Sequence, residues 1–136
     1  LGDVYKRQGL FRSDDNGATW NDLGIGQHAA HLRYGRDIVV APWDPNTLYA
    51  CIADSSRGVA GRLYRSTDLG VNWTQIDRGI DVQSTMMAVA LPVDDRKQAH
   101  CLTRRGQCFS TFDDGHTWRE TPLPAEAGSA VALACG

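Results

Sequence analysis

An eight-residue phrase occurs three times in this chain and constrains its fold more than any other feature. The copies span residues 13–20, 66–73 and 111–118. Each reads hydroxyl residue, any residue, Asp, any residue, Gly, any residue, polar residue, Trp. The residues that define the pattern are Ser13, Asp15, Gly17, Trp20, Ser66, Asp68, Gly70, Trp73, Thr111, Asp113, Gly115 and Trp118. Recurrence at this spacing predicts a structure assembled from similar units.

The chemistry of the phrase indicates a tight hairpin turn. An Asp side chain can accept hydrogen bonds from backbone N–H groups of its own loop. The Gly two positions later can adopt a positive φ without steric cost, and the Trp carries a large apolar surface into the next strand. We therefore interpret these Asp residues as holding the turns together. The alternative role in acid–base chemistry would require three active sites.

A second repetition gives the architecture around the turns. Ile38–Ala53 aligns with Ala88–Thr103 at a constant offset of 50 residues. Each unit then divides into four short strands, and the Asp phrase joins the third strand to the fourth. The predicted strands are 37–41, 48–53, 61–66 and 72–77 in one unit, and 87–91, 99–103, 107–111 and 117–121 in the next. Four antiparallel strands repeated about every 45–50 residues predict an all-β fold, a fragment of a β-propeller with four-stranded antiparallel blades.

The units divide the chain as one incomplete propeller domain. Residues 1–8 match no repeat and are left out of the fold prediction. Residues 9–23 are predicted as the outer strands of a partial blade, 36–77 and 87–121 as complete blades, and 129–136 as the start of a further blade. Two complete blades do not close a ring, so we expect the remaining blades in a longer protein or in further chains.

Composition excludes few functions. The 136 residues are 42% hydrophobic and 22% charged with a net charge of −2, which gives no basis for a nucleic-acid partner. No apolar run approaches the roughly 20 residues of a membrane helix, and no cofactor is predicted. The cysteines lack C-x-x-C spacing, which argues against zinc. Cys51 and Cys101 are expected on different blades, whereas Cys101 and Cys108 flank a hairpin and are expected as buried free thiols or as a disulfide.

Residues 63–73 read Leu-Tyr-Arg-Ser-Thr-Asp-Leu-Gly-Val-Asn-Trp, which resembles the Asp-box, or BNR, repeat of sialidase-type β-propellers. The resemblance covers about residues 9–135. Asn72 replaces the usual Thr and Thr111 replaces Ser, and both substitutes can still form hydrogen bonds. The resemblance implies that ligands bind on the face opposite the Asp boxes. It also slightly favours an extracellular or periplasmic location, although the compartment is left open.

The loops of that opposite face contain the candidate ligand-binding residues. Residues 27–37 are the richest in charge, and an Arg there could bind a carboxylate through two hydrogen bonds while Asp37 acts as acid or base. The predicted ligand-binding residues are His31, Arg33, Arg36, Asp37, Arg57 and Arg104. The alternative is that these are solvated loop residues. His28 and His31 lack an evident third ligand, so no metal site is predicted.

Two functions are compatible with these sequence features. The first is a scaffold that binds a glycan or a protein partner without turnover, as the resemblance to sortilin-type receptors and photosystem II assembly factors implies. The second is part of a glycoside hydrolase, either sialidase-like or xyloglucan-cleaving. A glycosidase needs two carboxyl groups across the scissile bond, or a Tyr nucleophile, and no complete catalytic set is evident. No catalytic residue is therefore predicted.

Overall fold

The computed structural model describes residues 9–28, 34–55 and 57–135. The strands are β1 (Phe11–Arg12), β2 (Asn21–Asp22), β3 (Tyr34–Ala41), β4 (Asp44–Ala53), β5 (Gly61–Ser66), β6 (Thr74–Gln75), β7 (Met86–Ala90), β8 (Ala99–Thr103), β9 (Gln107–Thr111) and β10 (Arg119–Pro122). The helical segments are α1 (Ile25–His28) and a single 3₁₀ turn at Ala125–Ala127.

The strands form three antiparallel sheets in sequence order. The partial blade contains β1 and β2, the middle blade contains β3 to β6, and the last blade contains β7 to β10. Both four-stranded sheets keep each strand beside its neighbour in the chain, as predicted for propeller blades. The predicted fourth strand at 72–77 is shorter in the structure, where β6 has two residues.

Strand pairing corrects the constant offset between the two repeats. Ile38 pairs with Ala50, but Ala88, its counterpart at offset 50, pairs with Leu102 and not with His100. Both inner strand pairs contain register shifts, and a β-bulge adds a residue to one strand only. An ungapped alignment therefore cannot describe these strands.

The main core lies between the middle and last blades. Its buried members include Tyr49, Cys51 and Leu63 of the middle blade and Val89 and Phe109 of the last blade. The blades approach closely at Gly61, where an added Cβ would lie 2.2 Å from the backbone nitrogen of Met86. Only glycine permits this approach, so Gly61 fixes how closely the two sheets pack.

A second core joins the partial blade to the other face of the middle blade. Leu10 and Ile25 of the N-terminal part pack with Leu48, Ile52 and Trp73. The region around Ile25 was predicted as loop, but Ile25 begins the helical turn α1 and is 1% exposed. Burial of this one side chain against the middle blade gives the short helix a tertiary anchor.

The cysteines are all free thiols. Cys101 pairs with Phe109, and Cys108 pairs with Leu102, the next residue along β8. Because directly paired residues share a sheet face and neighbours alternate, Cys101 and Cys108 project from opposite faces. The alternative of a disulfide between them is therefore wrong. Cys51 and Cys101 lie on different blades, as expected, yet both belong to the core between those blades.

The C-terminal segment differs from the predicted start of a further blade. Residues 129–135 form no strand in the structure. The segment is joined to the last blade by one backbone hydrogen bond, from the Ala130 N–H to the Arg104 carbonyl oxygen (3.1 Å). A strand there would need a neighbouring strand with which to pair. The assignment of residues 1–8 lies outside the described residues.

Candidate functional site

The three copies of the repeated phrase form the same turn, which we call the Asp turn. In the second copy, the Asp68 carboxylate accepts hydrogen bonds from the Ser66 hydroxyl (2.7 Å), the Asn72 backbone N–H (2.8 Å) and the Asn72 side-chain amide (2.7 Å). The Ser66 hydroxyl oxygen also accepts a bond from the Gly70 N–H (2.8 Å). Asn72 thus replaces the Thr that performs this role in the other copies.

The first and third Asp turns repeat these contacts. Asp15 accepts bonds from the Thr19 N–H and hydroxyl at 2.8 and 2.6 Å. Asp113 accepts the same two bonds from Thr117 at 2.8 and 2.5 Å. Hydrogen bonds to the charged form lower the pKa of all three carboxyl groups to about 2. At neutral pH they are ionised acceptors occupied by their own turns, which makes them unsuited to donating a proton.

Two consecutive residues of each Asp turn adopt a left-handed backbone. The expected glycine does so, with φ of 87° at Gly70. The residue before it does so as well: Asn16, Leu69 and Asp114 have φ of 56°, 57° and 63°. Asn and Asp tolerate this conformation better than Leu. The sequence pattern allowed any residue at this position, so the pattern alone did not reveal the constraint.

The opposite face, which we call the loop face, is formed by residues 54–55, 57–60, 76–85 and 103–107 together with the start of β3. Tyr34 and Arg36 lie at the start of β3. An Arg36 guanidinium N–H donates to the Tyr34 hydroxyl at 3.2 Å, and the guanidinium carbon lies 5.3 Å from the centre of the Tyr34 ring. The Nε of Arg36 is buried without a hydrogen-bond partner among the described residues.

Asp37 joins the inner strands of the two blades. Its carboxylate accepts a hydrogen bond from the backbone N–H of Val89 at 3.0 Å. Asp37 therefore lies at the interface between the blades. Its acid or base role stays a prediction from the sequence.

The other predicted ligand-binding residues fall into two groups. Arg57 and Arg104 lie on the neighbouring hairpins of the middle and last blades. Thr85 connects these hairpins, because its hydroxyl donates to the Gly58 carbonyl (3.0 Å) and its own carbonyl accepts from the Arg104 N–H (2.9 Å). His31 and Arg33 lie outside the described residues, so the predicted set is assembled only in part.

Gln107 organises the loop face and was not predicted. Its side-chain amide donates to the Asp81 carbonyl (2.9 Å) and to the Glu120 carboxylate (3.3 Å), while its side-chain oxygen accepts from the Gln83 N–H (2.9 Å). These bonds fix the connection between the blades against the hairpin of the last blade. No local pattern marks a Gln at the start of a strand for this role.

Asp77 is the second residue that sequence reasoning missed. It follows β6, is 2% exposed, and neither carboxylate oxygen has a hydrogen-bond partner among the described residues. Burial raises the pKa of Asp77 to about 6, against the opposing effects of the positive charge on Arg62 and of the nearby Leu63 N–H and Gln75 side-chain amide. Raised carboxyl pKa values are typical of general acids, but Asp77 is closed off from solvent in this arrangement.

The described residues contain no group of three or more His, Cys, Asp or Glu side chains placed to hold a metal ion. Nor does this part of the chain include a helix long and apolar enough to cross a membrane. The loop face presents guanidinium groups, an aromatic hydroxyl, amides and carboxylates.

The two four-stranded sheets with their interposed core define this fold as part of a β-propeller. Solved structures of other proteins contain the same fold. The GH74 enzyme of Niastella koreensis superposes on 85% of this chain with a TM-score of 0.66 and 21% identity, and the match covers 19% of that enzyme. An ancestral GH74 enzyme gives a TM-score of 0.64 with 14% identity, covering 85% of this chain and 15% of that one. At these identities the likeness establishes the fold alone.

Curated proteins of two kinds resemble about half of the chain. Vacuolar protein sorting/targeting protein 10 of Talaromyces marneffei is 38% identical over 68 residues, which are 48% of this chain and 4% of that protein. A xyloglucanase of a Paenibacillus species is 33% identical over 86 residues, or 50% of this chain and 8% of the enzyme. This chain thus spans less than a tenth of either relative. No family model matches the sequence.

Proposed function

We propose that this chain is part of a β-propeller that binds a glycan or a protein partner on its loop face, and that its Asp turns are Asp boxes with a structural role. The observation that carries the proposal is the difference between the two faces. Each Asp-turn carboxylate is occupied by bonds within its own turn, whereas Arg36 on the loop face keeps a buried Nε without a partner among the described residues.

Arg36 is suited to hold a ligand for two reasons. Its contact with Tyr34 fixes the plane of the guanidinium, which lowers the entropy lost when a ligand binds. A guanidinium presents several donors in one plane and can bind a carboxylate or a pair of sugar hydroxyls through two bonds. The Tyr34 ring adds an aromatic surface next to these donors.

Xyloglucan oligosaccharides are the first glycan to test, because one relative is a xyloglucanase. Isothermal titration of the intact protein should detect binding, and Arg36→Ala should weaken it by about tenfold, the equivalent of about 1.4 kcal/mol. Arg119→Ala is the matched control, since Arg119 lies at the Asp-turn end of β10. Equal affinities for both variants would refute the assignment of the loop face.

A glycoside hydrolase is the second candidate, and the 33% identity to the xyloglucanase favours it. Under this alternative, the intact protein releases reducing ends from xyloglucan. Asp77→Asn should then abolish turnover if the buried carboxyl serves as the general acid after a rearrangement exposes it. Ligand binding without any release of reducing ends would favour the scaffold over the enzyme.

A further inference from the structure

A cleft on the Asp-turn face, far from the loop face, has the features of a second binding site. It lies between the middle and last blades and has a volume of about 310 Å³. Its principal lining residues are Trp43, Tyr49, Arg65, Arg96, Lys97 and Asp114. We call it the inter-blade cleft. Both of its walls belong to complete blades, so the cleft is not a gap left by a missing neighbour.

Hydrogen bonds hold the floor of the inter-blade cleft in place. Asp114 donates its backbone N–H to the Lys97 carbonyl oxygen at 2.9 Å and accepts a bond from the Arg65 guanidinium through its carboxylate. The chain of contacts from Lys97 through Asp114 to Arg65 therefore ties the two blades together at this point. A site supported in this way requires little reordering when a ligand enters.

The cations of the cleft exceed its anions. Arg65 and Asp114 form an ion pair and offset one another. Arg96 and Lys97 are exposed, and neither side chain has an ion pair among the described residues. The nearby carboxylate of Asp95 accepts bonds from the Lys97 N–H (2.9 Å) and the Gln98 amide (2.8 Å) and does not line the cleft. The positive charge of Lys97 also helps to lower the pKa of the Asp95 carboxyl, and both cationic side chains are exposed to an anionic ligand.

The remaining surface of the cleft is suited to a sugar ring. Trp43 is half-buried and packs against the core, so part of its ring is fixed while another part lines the cleft. Thr67 also lines the cleft. An aromatic face beside a few fixed polar groups is a common arrangement in small-ligand sites, and the volume is at the lower end of their range, about 300–1,000 Å³.

We propose that the inter-blade cleft binds an acidic sugar residue, with its ring against Trp43 and its carboxylate between Arg96 and Lys97. This site is independent of the loop-face site, because it involves different residues on the opposite face. A single sugar in an open cleft is expected to bind with a Kd of about 1 mM.

The test uses saturation-transfer NMR on the intact protein, with methyl glucuronide as the probe and methyl glucoside as its neutral counterpart. The glucuronide should bind at least about fivefold more tightly than the glucoside. The double variant Arg96→Gln/Lys97→Gln should reduce glucuronide affinity by about fivefold. Arg78→Gln, which removes one exposed cation of the loop face, should leave glucuronide affinity unchanged.

Three results would overturn the assignment. They are equal binding of the two sugars, unchanged glucuronide affinity in a double variant whose thermal unfolding matches the wild type, and tighter binding of a tetraglutamate peptide than of the glucuronide. The last result would identify an acidic peptide as the ligand in place of a sugar.

Discussion

The guanidinium of Arg65 donates a hydrogen bond to the carboxylate of Asp114. Asp114 is the left-handed residue directly before the glycine of the Asp turn in the following blade. Arg12 makes the equivalent contact one blade earlier, donating to the carbonyl oxygen of Leu69 at 2.6 Å. In both cases an Arg just before one Asp turn reaches the same position in the next turn. These contacts form a repeated connection between blades that lies outside the apolar core.

Replacing Arg65 tests the strength of this connection. Arg65→Gln should lower the free energy of unfolding by about 0.5–1 kcal/mol, since the pair is partly exposed and screened by solvent. Chemical denaturation of Arg65→Gln, Asp114→Asn and the double variant gives their coupling energy. Arg119→Gln serves as the control for loss of one surface charge. A coupling energy of zero would show that the contact contributes nothing to stability.

Removing an Asp-turn carboxylate should destabilise the fold without affecting ligand binding. Asp68→Asn leaves an amide where a carboxylate accepted three hydrogen bonds, and bonds to a charged acceptor are stronger than those to a neutral one. The thermal unfolding midpoint should fall, whereas Asp94→Asn, at an exposed loop position, should leave it unchanged. Loss of glycan binding by folded Asp68→Asn protein would contradict the structural role.

The buried carboxyl of Asp77 should give stability an unusual pH dependence. Its pKa is raised from 3.8 to about 6 in the folded protein, so the folded state holds a proton that the unfolded state releases between pH 4 and 6. Stability is therefore lost as pH rises through this window, by roughly 3 kcal/mol at about 1.4 kcal/mol per pKa unit.

Asp77→Asn removes this titration while keeping the side-chain shape. The variant should be more stable than the wild type at pH 7 and similar to it at pH 4. Urea denaturation across this range measures the difference, and Asp94→Asn provides the control. An unchanged pH profile in Asp77→Asn would exclude Asp77 as the titrating group.

The sequence predicted those parts of the structure that depend on neighbouring residues. Ser66, Asp68 and Gly70 lie within five positions of one another, so their bonding could be inferred from residue types alone. The match between residues 38–53 and 88–103 likewise indicated the sheets. Register was harder to predict, because a bulge beside Asp37 leaves no mark in composition. The relative placement of Cys101 and Cys108 depends on the register of β8 against β9, where one residue decides the face.

The candidate site was less predictable than the fold because its contacts join distant segments. Asp77 becomes a buried carboxyl only in the folded chain, and Gln107 acquires its partners only when residues 81–83 lie against it. The arginines were found from their charge and their position in loops. Their charge did not show which arginine has a fixed orientation. In the structure, this is Arg36, which lies beside the Tyr34 ring.

The bonds within each Asp turn join residues at most four apart. Closing so short a loop costs little chain entropy, whereas pairing two blades must bring together residues about fifty positions apart. During synthesis on the ribosome, each Asp turn can therefore close as soon as its own residues emerge. The Arg of an earlier blade then meets a turn that has already taken its final shape, so the blades assemble in order from the N-terminus onwards.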